Sequence, residues 1–186
     1  MIVVTLDEAL NLLVALIFLS SEINYSPEPR LFALIVGVND YIHYEKLAGA
    51  VPDAQAFSEY LTTSLNIPET RIKMLIDQEA TRKEIIENLI NLSSLNTIAA
   101  GDPIVIFYAS HGGEAPAPPV WAASGPGSMT QMIIPQDSTN GPAIPGIPDR
   151  TILQLLNKIA ASKGNNIVKM WKIEQAFLTR FLDRHF

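Results

Sequence analysis

The sequence predicts an α/β domain in which helices flank a mostly parallel β-sheet. Three observations lead there. The runs Leu31–Val38 (LFALIVGV) and Pro103–Ala109 (PIVIFYA) are continuously apolar, as strands covered on both faces are. Other segments carry apolar residues at three- and four-residue spacing, the period of a helix with one buried face. Together they give the order β-α-β-α-β-loop-α-β, which a sheet with crossover helices requires.

Each element has its own signal. Leu31–Val38 is the first strand, preceded by the polar, proline-bearing stretch Glu22–Arg30, which reads as a linker. Ala50, Ala54, Phe57, Leu61 and Leu65 mark a helix over residues 49–65, with Pro52 in its first turn, where a missing N–H costs nothing. Arg71–Ile76 alternates and predicts a second strand. Thr81-Arg82-Lys83-Glu84 is a T-x-x-E capping box and opens a helix with Ile85, Ile86, Leu89, Ile90 and Leu92 on one side. Gly101-Asp102 ends that unit, and Pro103–Ala109 is the third strand. Residues 112–150 are rich in Gly, Pro and Ser and read as a long loop with one apolar island, Met132–Ile134. Pro148-Asp149 starts a last helix with Ile152, Leu155, Leu156 and Ile159 inward, and Lys163-Gly164 ends it. Asn166–Val168 begins a fourth strand.

Composition narrows the function. With 186 residues, 48% of them apolar and 17% charged, the chain has the material for one core and is neither a disordered tail nor a coiled coil. A net charge of −6 counts against a nucleic-acid partner, which needs a clustered basic surface. There is no cysteine, so disulfides, thiolate metal sites and cysteine nucleophiles are excluded. The apolar stretch Ala9–Leu19 has signal-peptide length, but Asp7 and Glu8 stand where a basic segment belongs, and Ser20-Ser21-Glu22 offers no small-residue cleavage site. It is also shorter than the roughly 18 apolar residues of a bilayer span. A helix packed on the domain or on a partner is the first expectation for it, and a signal or anchor the alternative. A membrane partner is not expected, and a cytoplasmic location is.

In an open parallel sheet, ligands bind beyond the C-terminal ends of the strands. His111 stands just past the third strand, followed by Gly112 and Gly113, which permit a close backbone approach. A lone histidine there fits either an acid/base group or a structural one. Ser110 adjoins it, but neighbouring residues on a strand point to opposite faces, and Tyr108-Ala109-Ser110-His111-Gly112 lacks the first glycine of a G-x-S-x-G elbow. No phosphate-binding glycine loop occurs. His111 and Glu114 offer two metal ligands with no second histidine pair or cysteine to complete a set.

Several blocks resemble the caspase/metacaspase family of cysteine peptidases. They are Leu31–Tyr41 (LFALIVGVNDY), Leu47–Ala54 (LAGAVPDA), Ile106–Gly112 (IFYASHG), Ile133–Asp137 (IIPQD) and Asn165-Asn166-Ile167, in that order and spacing. The strand ending in Ser-His-Gly is the most specific of them. The resemblance covers about residues 31–168 and is strongest to the fungal metacaspase-like branch. It implies a three-layer caspase-hemoglobinase fold and cysteine-type endopeptidase activity. In that family a histidine activates a cysteine thiol placed after the fourth strand, because a thiol of pKa about 8.5 is mostly protonated at neutral pH. His111 matches that histidine, and Gly112 the glycine whose N–H helps to hold the oxyanion. Asp53 matches an acidic residue that receives an Arg or Lys side chain of the substrate. A first-turn carboxylate favoured by the helix dipole is an equally good reading of Asp53. Asp137 and Asp149 fall near positions where some members bind calcium, a weak case for an ion that wants about six to eight oxygens. Asp149 also serves as a plain helix cap. No other cofactor is implied.

The resemblance stops abruptly. Where the family continues into a D-x-C-H-S-G-like block, this chain reads Lys169-Met170-Trp171-Lys172-Ile173-Glu174-Gln175 and ends at Phe186. The nucleophile and the second acidic pocket residue are both missing. So sharp a loss is more typical of a truncation, frameshift or retained intron than of gradual decay. The organisation expected is therefore an apolar segment and linker over 1–30, a caspase-like domain lacking its C-terminal part over 31–168, and a divergent tail over 169–186. In that tail Ile173, Phe177, Leu178 and Phe181 fall on one side of a short helix. The functional expectation is a peptidase domain that is inactive alone. The alternative is a pseudoprotease that pairs with an active caspase-like partner through its sheet edge. Programmed cell death is a family association that no residue here shows.

Overall fold

A computed structural model describes residues 30–118, 129–139 and 141–175. The expectations for the apolar N-terminal stretch, for most of the linker and for residues 176–186 lie outside the described residues.

The chain runs β1 (Phe32–Gly37), α1 (Ala50–Thr63), β2 (Ile72–Ile76), α2 (Arg82–Leu92), β3 (Ile104–Pro116), β4 (Met129–Ile133), β5 (Ile147–Pro148), α3 (Asp149–Lys163) and β6 (Ile167–Gln175). Strands β2, β1, β3 and β6 lie side by side and pair in parallel. β3 outlasts β1 by several residues. Its far half pairs antiparallel with β4, which in turn pairs with β5.

Helices cover both faces, which explains the continuous apolarity of β1 and β3. Odd-numbered residues of β1 and β3 (Ala33, Ile35, Val105, Phe107, Ala109) pack under α1 through Ala50, Ala54, Phe57 and Leu61. Even-numbered ones (Phe32, Leu34, Val36, Ile104, Ile106, Tyr108) pack under α2 and α3 through Ile85, Leu89, Ile152 and Ile159. The result is three layers, a sheet between two layers of helices, as the resemblance implies. α1 sits close: a Cβ on Gly37 would come within 2.7 Å of Ala54 Cβ and 3.1 Å of the Ala50 carbonyl. At the other end of the strands, buried Asp102 is neutralised by Arg30 at 2.7 Å and Arg71 at 3.9 Å.

The Thr81 cap is present, its side chain accepting the Glu84 N–H at 3.2 Å. α3 stops at Gly164, whose φ of 97° is in the region that favours glycine. Three expectations change. Ile90 is on the exposed side of α2, because the helix buries Ile85, Leu89 and Leu92 instead. Residues 112–150 are not all loop: β3 continues to Pro116, and β4 and β5 form from half-exposed residues. The fourth strand runs on to Gln175, so Ile173, read as the first apolar residue of a tail helix, is in extended backbone. Met170 is buried against the α1 layer, Trp171 meets Tyr108 edge-on with centroids 5.6 Å apart, and Ile173 packs on the α2–α3 side. These contacts on both faces hold residues 169–173 extended.

Candidate active site

The site is built at the point where β3 loses one neighbour and gains another. β1 ends as the Val38 N–H donates to the Ala109 carbonyl at 3.0 Å. β4 begins opposite Gly112. The backbone of His111 lies in the gap between them, and the Tyr41 side chain fills it. The His111 N–H donates to Tyr41 Oη at 2.9 Å, and Tyr41 Oη donates to the Ile134 carbonyl at 3.0 Å. Tyr108 Oη donates to the same Ile134 oxygen, also at 3.0 Å. Burial pushes both phenols well above the usual tyrosine range, so both remain neutral donors at physiological pH.

His111 is 6% exposed. Its ring lies 4.9 Å from that of Tyr41 and 6.3 Å from that of Tyr44, and burial raises the Tyr44 phenol as well. His111 Nε2 is 2.9 Å from the Glu45 carbonyl. A carbonyl only accepts, so Nε2 carries the proton and the lone pair of the neutral ring falls on Nδ1. This contact helps to fix the orientation of the ring.

The loop that supplies Tyr41, Tyr44 and Glu45 is held from outside. Asp77, at a φ of 45° just after β2, accepts the N–H of Asn39 at 2.7 Å and of Asp40 at 2.8 Å through one oxygen. Asn39 Oδ1 in turn accepts the N–H groups of Ala50 and Val51 at 3.0 and 3.2 Å, and so caps α1. Gln136, buried, donates to the Asp40 carbonyl at 3.0 Å.

Gly112 is packed tightly under Ile173, whose Cγ2 a Cβ there would strike. Ile134 N–H donates to the His111 carbonyl, on the β4 side, so the polar groups of Gly112 face β6. On β6, the residue in register with His111 is Glu174. Asp53 lies in the first turn of α1 and is ion-paired with Lys172 of β6. His111, Gly112 and Asp53 are thus brought to one end of the sheet. Asp137 and Asp149 serve elsewhere. Asp137 accepts the Arg82 N–H at 2.7 Å at the start of α2. Asp149 is the first residue of α3 and accepts its own helix's Arg150 N–H at 2.6 Å. Among the described residues no three His, Asp or Glu side chains converge. A cleft of about 280 Å³ between β2 and α2, lined by Phe32, Leu34, Ile72, Lys73, Asn88 and Leu95, includes none of these residues. Among the described residues no helix is long and apolar enough to cross a membrane.

Sequence reasoning missed the parts that hold His111: Tyr41, Asn39, Asp77 and the Glu45 carbonyl. The one local signal for them was Asn39-Asp40 at the end of a buried strand, a pair given to side-chain-to-backbone bonding in tight loops.

Comparison with known proteins bears on the family and the fold. A family model described as caspase domain matches residues 30–161. The crystal structure of a protein from Geobacter sulfurreducens superposes with a TM-score of 0.57 at 19% identity, over 79% of this chain and 50% of that one. At that identity the likeness shows the fold alone, and the chain spans about half the length of that structure. No curated protein matches the chain.

Proposed function

The chain belongs to the caspase-domain family, and from that premise we propose that it carries the histidine side of a cysteine-endopeptidase site without the nucleophile and is catalytically silent on its own. The observation that supports this most directly is the strand position opposite His111. It is held by Glu174, in a chain with no cysteine at all. His111 is oriented as an acid/base, but a carboxylate in that register position is no substitute for a thiolate attacking a peptide carbonyl. Ser110 does not replace it, since its hydroxyl donates to the His111 carbonyl at 2.8 Å. We read the blocks over residues 31–168 as nearest the fungal metacaspase-like branch, with Asp53 as the acid that receives a cationic substrate side chain.

The test is an assay of the purified chain and of His111→Ala on fluorogenic peptides with Arg or Lys before the scissile bond. Equal, background-level signal is expected from both. Turnover by the unmodified chain that His111→Ala abolishes would overturn the reading.

A second reading, a non-catalytic module that pairs with an active caspase-like partner, draws on β6. Among the described residues β6 pairs with β3 alone, which leaves its other side a row of backbone donors and acceptors. A defined complex with an active caspase-domain peptidase, resolved by size-exclusion chromatography with light scattering, supports that role. Elution of the two proteins as separate species counts against it.

A further inference from the structure

The Asp53 carboxylate has two features that its place in α1 does not explain. The first-turn amides of α1 are already served by Asn39 Oδ1, so Asp53 is not needed as a cap. Its Oδ2 is buried, and it is the atom that Lys172 meets. The Lys172 side chain is 57% exposed and that of Asp53 25%, so the cation is the more exposed member of the pair. Lys172 is in register with Ala109, two residues before His111 on β3, or about 6–7 Å along the strand.

We propose that Lys172 is an internal occupant of the Asp53 site. It takes the position that a Lys or Arg side chain of another polypeptide would fill, and keeps the site closed in the isolated chain. The proposal rests on the reading of Asp53 as the acid of a cation-binding pocket. Three properties suit Lys172 to the part. It supplies a single ammonium on a four-carbon stem, the same group a substrate lysine would present. It comes from the neighbouring β6, so its local concentration at Asp53 is high and independent of protein concentration. Its exposure leaves it free to swing into solvent when a competitor arrives, since a pair this open is weakly held. A guanidinium, with its fork of donors, bonds a carboxylate better than an ammonium does, and so has the advantage over the occupant.

The experiment measures binding of a fluorescein-labelled peptide ending in arginine amide, by anisotropy, to the full chain and its variants. A citrulline peptide of equal shape and no charge is the control. If Lys172 fills the site nine-tenths of the time, its removal tightens apparent binding about tenfold. Lys172→Met and Lys172→Gln should each show that gain, and each should lose it when combined with Asp53→Asn or when the peptide carries citrulline. Two variants of different polarity separate the loss of charge from a packing change. Equal affinity of the unmodified chain and both variants, with loss in Asp53→Asn, overturns the occupant and leaves the pocket reading intact. Binding that is absent throughout, or indifferent to Asp53→Asn, refutes the pocket reading and the occupant with it.

Discussion

Tyr41 and His111, far apart in sequence, are joined by a hydrogen bond from the His111 backbone N–H to the Tyr41 hydroxyl at 2.9 Å. The bond substitutes for a strand. At this level β1 has ended and β4 has not begun, so a buried amide would otherwise have no acceptor. A phenol solves the problem because it accepts and donates at once, its own O–H donating to the Ile134 carbonyl.

Tyr41→Phe should therefore destabilise the protein more than Tyr108→Phe. The first leaves the His111 N–H buried and unpaired, at a cost of about 1–3 kcal/mol. The second removes one of two donors to a carbonyl that keeps the other, at a cost of about 0.5–1.5 kcal/mol. Urea unfolding of both variants checks the order, and a costlier Tyr108→Phe would show that Tyr41 is not the main partner of the amide.

The same phenols predict base lability. Burial holds the folded-state pKa of Tyr41 and Tyr108 above the usual value, whereas in the unfolded chain both ionise near pH 10. Below about pH 10 both states keep these protons and neither tyrosine contributes a slope. Above it the unfolded chain binds fewer protons, so stability falls as pH rises, by up to ~1.4 kcal/mol per pH unit for each tyrosine. Urea midpoints measured between pH 8 and 11 should decline beyond pH 10, and Tyr108→Phe should remove part of that decline.

Asp77 ties the end of β2 to the loop that holds His111. Asp77→Ala strands the amides of Asn39 and Asp40 and puts a residue with no local hydrogen bond at a φ of 45°. A loss of about 2–4 kcal/mol is expected from those two costs. Asp77→Asn keeps an oxygen acceptor and tolerates this backbone region, so it should cost markedly less. Hydrogen exchange gives the local readout: the Asn39 and Asp40 amides should lose protection in Asp77→Ala and keep it in Asp77→Asn.

Gly112→Ala should destabilise through Ile173, which an added methyl would strike. Overpacking of this kind costs about 1–3 kcal/mol. The double variant Gly112→Ala/Ile173→Ala should recover part of that loss, because the neighbour that obstructs the methyl is gone. A double-mutant cycle with no coupling would place the role of Gly112 in its backbone instead.

Much of the fold was legible because it depends on local pattern. The α1 stripe, the Thr81 cap, the stop at Gly164 and the covered strands β1 and β3 each follow from a few adjacent residues. The hairpin was not legible. β4 alternates over only five residues and exposes Met129, and β5 has two residues, too few to show any period. The start of β6 at Asn166–Val168 was legible but its reach was not, although Met170, Trp171 and Ile173 alternate between two covered faces. In the site, His111 was legible from its place after a buried strand. Its supports were not, because Tyr41, Asp77 and Ile134 reach it across long sequence separations that no local pattern encodes.

The parallel pairing of β3 with β6 also sets a schedule. β3 is the centre of the sheet, but its partner begins at Ile167, 63 residues after Ile104 (167 minus 104). At a synthesis rate of about 5–20 residues per second, the β6-facing side of β3 stays open for roughly 3–13 s on the ribosome. Throughout that interval the apolar run Ile104–Ala109 has β1 beside it and nothing on the other flank. Long-range parallel pairing is slow to form even once the whole chain is present. The sheet is therefore completed on both sides of β3 only when its last described strand arrives.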